Sequence, residues 1–274
     1  MVGWRPSAGN AGGEQQSEFQ SKSKRMAGHS KWAKVKHFKG AVDAKRAKIF
    51  AKLGRELTIA ARLGGGDPDL NPRLRMVLLK CRSANVPAEN VQRAIKKGTG
   101  EGNTATYEDL TYEVFGPAGV GILAEVSTDN RNRAASEIRA ILTRNHGTIA
   151  TSGAVSRMFQ RRGQILVAKE TLDEDACMEL ALEAGADDFK VDEGVYEILT
   201  EPGRFEEVHK VFEEKGIKCE NAEVTWLPTL TTPVSNPAEA AALNRLIEAL
   251  EDHDDVNEVF SNAEFTGEAA HAND

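Results

Sequence analysis

The residues in this sequence best placed to do chemistry are cations. Lys45, Lys48, Lys52, Arg55 and Arg62 follow one another at intervals of three, four, three and seven. On a helix this spacing gathers their ammonium and guanidinium groups on one side, at steps of about 5–6 Å. Such a row matches successive phosphates, and each phosphate neutralised makes binding salt-dependent with a slope of about −0.7 to −0.9. An ordinary solvated face mixes signs. Here Met26–Gly98 carries 17 Lys and Arg against 5 Asp and Glu, while Thr99–Asp274 carries 14 against 35. The net charge of −7 therefore hides a basic end and an acidic body. A polyanion is expected to approach by the basic end alone. The expected nucleic-acid-binding set is His29, Lys31, Trp32, Lys34, Lys36, His37, Lys39, Lys45, Arg46, Lys48, Lys52, Arg55, Arg62, Arg73, Arg75, Arg93, Lys96 and Lys97.

Within this set, Trp32 and His37, with Phe38, interleave with lysines. Aromatics in a basic arm stack on unpaired bases, which favours single-stranded or structured RNA over duplex DNA. Packing of the arm onto neighbouring helices explains Trp32 and Phe38 equally well. Arg46 projects onto the apolar side of its helix, where a charge needs a partner. Asp43, Glu56 or a groove between domains would supply one, and a functional role weighs the same. A second anion site is expected at Asn130, Arg131 and Arg133, where Asp129-Asn130-Arg131-Asn132-Arg133 opens a helix. Capping and solvation account for the same residues.

Other features exclude function classes. Gly64-Gly65-Gly66-Asp67-Pro68 lacks the Lys-Ser/Thr of a phosphate-binding loop and reads as a hinge or a connecting loop. Gly116-Pro117-Ala118-Gly119-Val120-Gly121 lies between two strands, not at the start of a helix, so it is a turn. The six histidines are scattered, without HExxH, and there is no G-x-S-x-G. The acid pairs Asp187-Asp188 and Asp254-Asp255 fall at element edges, where exposure is expected. No enzyme activity, cofactor or metal is expected. Cys81, Cys177 and Cys219 lie far apart, which speaks against a zinc ribbon or a disulfide framework and fits a reducing cytosol. No apolar run approaches the roughly 18 residues of a membrane span.

The elements that must position the cations follow from periodicity. Residues 41–63 place Ile49, Phe50, Leu53, Leu57, Ala60 and Ala61 in one sector of a helix, with the basic stripe roughly opposite. Asn71 and Pro72 open a second helix with Leu74, Val77, Leu78 and Cys81 as its stripe. Pro87 opens a third, through Val91 and Ile95, ended by Gly98. From Tyr107 the period becomes two. Strands at 107–115 and 120–127 precede a helix capped by Asp129 or Asn130, then an extended segment around 154–159. Residues 164–226 read βαββαβ, the order of a ferredoxin-like unit. A last helix (238–250) and strand (256–260) lack neighbours of their own and complete the earlier ββαβ. The expected fold class is α+β: an N-terminal three-helix domain followed by two ferredoxin-like α+β domains, the second inserted into the first. Boundaries are expected at 26–100 (basic helical domain), 104–160 plus 230–265 (discontinuous middle domain) and 161–229 (inserted domain). The Gly/Ser/Gln-rich extension 1–25 and the tail 266–274 are expected to be disordered.

Several of these segments carry a resemblance. Ala27-Gly28-His29-Ser30-Lys31-Trp32, Asp43-Ala44-Lys45-Arg46, the Gly64–Pro68 run and Asn71-Pro72-Arg73-Leu74-Arg75 resemble the YebC/PmpR family. So do Tyr112-Glu113 with Gly116-Pro117, Asp129–Arg133, and Ala181-Leu182-Glu183-Ala184-Gly185-Ala186. The resemblance covers about residues 26–262, and the family includes the mitochondrial translational activator of cytochrome oxidase. It implies Met26 as the natural start and the same three-domain layout. It also implies non-enzymatic regulation in the cytoplasm, by DNA binding in transcription or by ribosome and rRNA binding in translation. DNA and RNA stay open as partners at this point, and no membrane is expected.

Overall fold

The structure is a computed structural model and describes residues 43–100, 107–192, 194–267 and 269. The chain is mixed α+β. It begins with three helices, α1 (Asp43–Gly64), α2 (Pro72–Ser83) and α3 (Ala88–Thr99). Leu57, Ala60, Leu74, Val77, Cys81 and Ala94 form their core. On α1 and α2 these residues recur at spacings of three and four, so burial there follows the apolar stripes read from the sequence, and on α3 Ala94 is buried between the half-buried Val91 and Ile95. Asn71 caps α2 by accepting the Leu74 N–H at 3.1 Å. Its amide also donates to the carbonyls of Ala60 and Gly65. Gly65, at φ +87°, turns the chain there, and Arg75 holds the carbonyls of Pro68 and Asp69. The Gly64–Pro68 run is therefore a tied connection rather than a hinge.

Gly98 does not end the third helix, contrary to expectation. It lies inside α3, and a Cβ there would sit 2.5 Å from the Thr58 carbonyl oxygen. Glycine is needed because α3 crosses α1 in contact with its backbone, and the helix closes one residue beyond, with Gly100 as its cap.

The acidic body contains two four-stranded antiparallel sheets. The first uses β1 (Glu108–Phe115), β2 (Gly121–Thr128), α4 (Arg131–Arg144) and the two-residue β3 (Thr148–Ile149). The second uses β4 (Phe159–Ala168), α5 (Glu174–Ala184), β5 (Asp188–Asp192), β6 (Val195–Thr200), α6 (Phe205–Glu214) and β7 (Cys219–Pro228). Its spatial order is β5-β6-β4-β7, the order of a ferredoxin-like unit. The chain then returns through β8 (Thr232–Val234), α7 (Pro237–Glu251), β9 (Val256–Ser261) and β10 (Ala263–Phe265). β9 pairs with β2, giving the order β3-β1-β2-β9. Its helices α4 and α7 close one core with Ile122, Val126, Ile138, Leu246 and Val259.

Two details differ from the sequence reading. Residues 156–158 form a 3-10 turn, so the segment around 154–159 is not one extended strand. Glu113 explains it: its carboxylate accepts the N–H groups of Gly153, Val155 and Ser156, a grip that bends the chain into a loop. The other is the short parallel pair β8/β10, which had no period-two signal to announce it. The two sheets meet through Leu123, Val155, Phe159 and Phe260, and Trp226 donates its indole N–H to Glu125 at 2.8 Å.

Candidate nucleic-acid interface

α1 delivers the basic stripe as its periodicity requires, but the stripe faces the acidic body. Lys48 pairs with Asp252 at 2.9 Å. The Lys52 ammonium donates to the carbonyls of Glu251 and, at 2.9 Å, Val256. Glu251 closes α7, so Lys52 serves a helix C-terminus, whose unsatisfied carbonyls favour a cation. Arg55 meets Asp255 at 2.7 Å and also donates to the carbonyls of Asp254 and Ser127. Burial pushes the Lys52 ammonium below its usual pKa, against the raising charges of Glu251, Asp252 and Asp254.

Asp255 is the centre of this contact. It is 3% exposed and accepts the Thr128 hydroxyl at 2.7 Å and Arg133 at 2.9 Å, besides the Arg55 pair. Burial alone would raise its carboxyl pKa. The Thr128 hydroxyl, Arg133 and Arg55 outweigh burial and hold it below the usual carboxylate value. The expectation that Asp254-Asp255 is an ordinary exposed pair fails at Asp255, because two arginines from separate elements converge on it. A cleft of about 510 Å³ opens beside it, lined by Arg55, Asp129, Arg133, Glu137 and residues 252–255.

The other cations of the set divide in the same way. Arg73 grips Asp109 with two bonds of 2.5 and 3.1 Å, and Arg75 grips Glu206 with two of 3.0 Å. One helix, α2, thereby holds both sheets. Lys80, outside the expected set, joins α1 and α2 to the first sheet from within, between Glu56 at 3.5 Å and Glu258 at 3.1 Å. Burial opposes its charge, but Glu258, Glu56 and Glu223 raise its pKa well above the usual lysine value. Arg62 lies with its guanidinium 5.4 Å from the Tyr107 ring centroid, and Arg55 approaches the same ring at 5.7 Å. Arg93 makes an exposed i, i+4 pair with Glu89.

What remains toward solvent is smaller. Lys96 and Lys97 are exposed in the last turn of α3. Arg46 is exposed on α1, not turned to the core, and Glu56, one of the partners expected for it, faces Lys80 instead. Lys45 stands in the first turn of α1, and its side chain lies outside the described residues. So do His29, Lys31, Trp32, Lys34, Lys36, His37 and Lys39.

The second expected anion site is already filled by the chain itself. Asn130 accepts the Arg133 N–H at 3.1 Å as the cap of α4, and Arg133 bonds Asp129 and Asp255. Arg131, on the first turn of α4, is exposed. Among those residues no group of three His, Cys, Asp or Glu is arranged to hold a metal ion. No helix of the described residues is long and apolar enough to cross a membrane.

This arrangement can be set beside known proteins. Residues 30–101 match the family model for the TACO1/YebC protein N-terminal domain. Residues 107–263 match the model for the TACO1/YebC second and third domain. The chain belongs to the TACO1/YebC family. Relatives of this TACO1/YebC chain include a "Probable transcriptional regulatory protein" of Opitutus terrae, 49% identical over 239 residues, covering 87% of this chain and 96% of that one. A protein of the same description in Persephonella marina is 49% identical over 242 residues, covering 88% and 97%. A crystal structure of a conserved hypothetical protein from Aquifex aeolicus superposes with a TM-score of 0.76 at 42% identity, covering 87% of this chain and 98% of that one.

The acids that receive the stripe are not identifiable from sequence alone. Glu251-Asp252 and Asp254-Asp255 are visible as a run. Nothing local distinguishes a run that receives cations from one that faces water. The signal was global: a basic end and an acidic body in one chain attract each other as well as any polyanion.

Proposed function

We propose that this TACO1/YebC chain is a non-enzymatic, nucleic-acid-binding regulator of gene expression that acts in the cytoplasm. It meets its polyanion with the N-terminal helical unit. The observation that carries the reading is the charge division, 17 cations against 5 acids over residues 26–98 of a chain whose remainder is strongly acidic. The regulator descriptions of the relatives support it, and so do the free thiols of Cys81, Cys177 and Cys219, which suit a reducing compartment. The domain reading that goes with it keeps residues 26–100 as the binding domain. It keeps 104–160 plus 230–265 as a middle domain and 161–229 as its insertion.

The binding face under this reading is the exposed part of the basic set on the helices, Arg46, Arg93, Lys96 and Lys97, and the basic residues 29–39 of the sequence are proposed to act with it. Lys48, Lys52 and Arg55 hold the helical unit to the body. The sequence reading leaves duplex DNA and ribosomal RNA as targets, and the arm's Trp32, His37 and Phe38 favour RNA with unpaired bases. Crosslinking in cells, with recovery of RNA and DNA from the wild type and a Lys96→Glu/Lys97→Glu variant, tests both points. The expected result is nucleic acid recovered with the wild type and depleted with the variant. Promoter DNA without rRNA supports a transcriptional role, and rRNA without promoter DNA a translational one. Equal recovery by the variant removes the proposed face.

A further inference from the structure

The row Lys48, Lys52 and Arg55 has the spacing of a phosphate-binding stripe, yet each member is occupied by oxygen atoms from one short segment, residues 251–256, together with Ser127. We propose that this segment is an internal stand-in for a phosphodiester backbone, and that the contact is an autoinhibitory latch. Closed, it withholds the α1 stripe. Open, it adds the stripe to the face formed by Lys96 and Lys97. The inference rests on the nucleic-acid reading and deepens it, because it says how the same helical unit is regulated.

The chemistry of the contact supports release. Its outer pair, Lys48 with Asp252, leaves the two side chains 60% and 56% exposed, so a competing phosphate reaches it from solvent. Asp254 is exposed on the same turn. The cleft beside Arg55, about 510 Å³, brings solvent to the inner pair as well. A carboxylate and a phosphate oxygen make the same charge-assisted bonds to ammonium and guanidinium. A strand of nucleic acid offers several in a row, so each cation lost by the loop is regained. Three further contacts steepen the salt dependence by about 2–3 in slope. Lys52 and Arg55 also hold carbonyl oxygens, which is why the latch stays closed without a competitor.

The test uses the full chain and a labelled mixed-sequence RNA oligonucleotide, with a duplex DNA of equal length in parallel. Lys48→Cys/Asp252→Cys is tethered with a short bismaleimide. Cys81 and Cys177 are buried and Cys219 half-buried, with thiol pKa values pushed up by burial to about 11, 11 and 12, so they compete poorly for the reagent. Tethering is expected to weaken binding at least about tenfold relative to the same protein untethered. Asp252→Asn/Asp254→Asn is expected to bind about five- to tenfold more tightly than wild type. A charge-matched control on α5, Glu179→Gln/Glu183→Gln, should stay within about twofold. Equal affinities for tethered and untethered protein overturn the latch and leave the nucleic-acid reading standing. So does an equal gain from the α5 control, which reduces the effect to net charge. Absence of binding by wild type and by every variant overturns both.

Discussion

At the scale of single residues, Asp255 is where burial, charge and domain contact meet. Its partners Arg55 and Arg133 come from α1 and α4, so one carboxylate joins the helical unit to the first sheet. Replacing it by Asn keeps the volume and removes the charge, leaving two arginines facing a neutral amide. Because both guanidiniums are partly in contact with solvent, the expected loss is about 2–3 kcal/mol, below the range for a fully buried pair. Asp252→Asn, at the exposed pair, should cost under about 1 kcal/mol. Urea unfolding of both variants checks the contrast.

The same carboxylate sets a pH dependence. Asp255 and Asp109 have folded pKa values below their ordinary ones. Burial alone would raise both. At Asp109 the bonds from Arg73 and Ser127 and the Arg73 charge outweigh it. The stability they contribute is therefore full above the unfolded value of about 3.9 and is lost as pH falls through the folded values. The stability gap between wild type and Asp255→Asn should be widest near neutral pH and should narrow as pH falls through the folded value of Asp255. A gap unchanged at low pH would show that the Asp255 charge does not hold the site. Lys80 has the opposite sign: its raised pKa makes its contribution full below about 10.4 and lost above its folded value.

At the scale of elements, the three helices are legible from sequence because each needs only its own period. Leu57, Leu74 and Val77 fall where the stripes put them, and Asn71-Pro72 starts α2 as the capping rules require. The βαββαβ order of the second sheet is legible for the same reason. Gly98 is not, since its role depends on another helix: a glycine before a loop and a glycine under a crossing helix look alike in one dimension. Gly98→Ala is expected to push α3 away from the Thr58 carbonyl and cost about 2–3 kcal/mol, an overpacking penalty measurable by thermal unfolding. An unchanged midpoint would mean that the crossing gives way freely. The orientation of the α1 stripe was likewise legible as a stripe but not as to what it faces. Periodicity sorts residues by sector, and a polar sector reads the same whether it meets water, phosphate or a carboxylate. Lys80 is the sharpest case: it lies one residue before Cys81 on an apolar helix and finds Glu56 and Glu258 only in three dimensions.

At the scale of the whole molecule, five cations of the described helical unit are paired with acids of the body. Asp109, Glu206, Asp252, Asp255 and Glu258 receive Arg73, Arg75, Lys48, Arg55 and Lys80 in turn. A small helical core of this kind is marginal on its own, so docking onto the body adds to its stability. Reversing Lys48, Lys52 and Arg55 to Glu is thus expected to loosen the molecule as well as to change binding. Lys96 and Lys97 have no such double duty among the described residues, so their variant reports on binding alone. The most direct measurement is the salt dependence of RNA and DNA affinity for wild type and Lys96→Glu/Lys97→Glu, with unfolding followed on the same samples. The variant is expected to unfold as the wild type does, to bind more weakly, and to show a log–log salt slope shallower by at least about 1.4. An unchanged slope and affinity would contradict the proposed binding face.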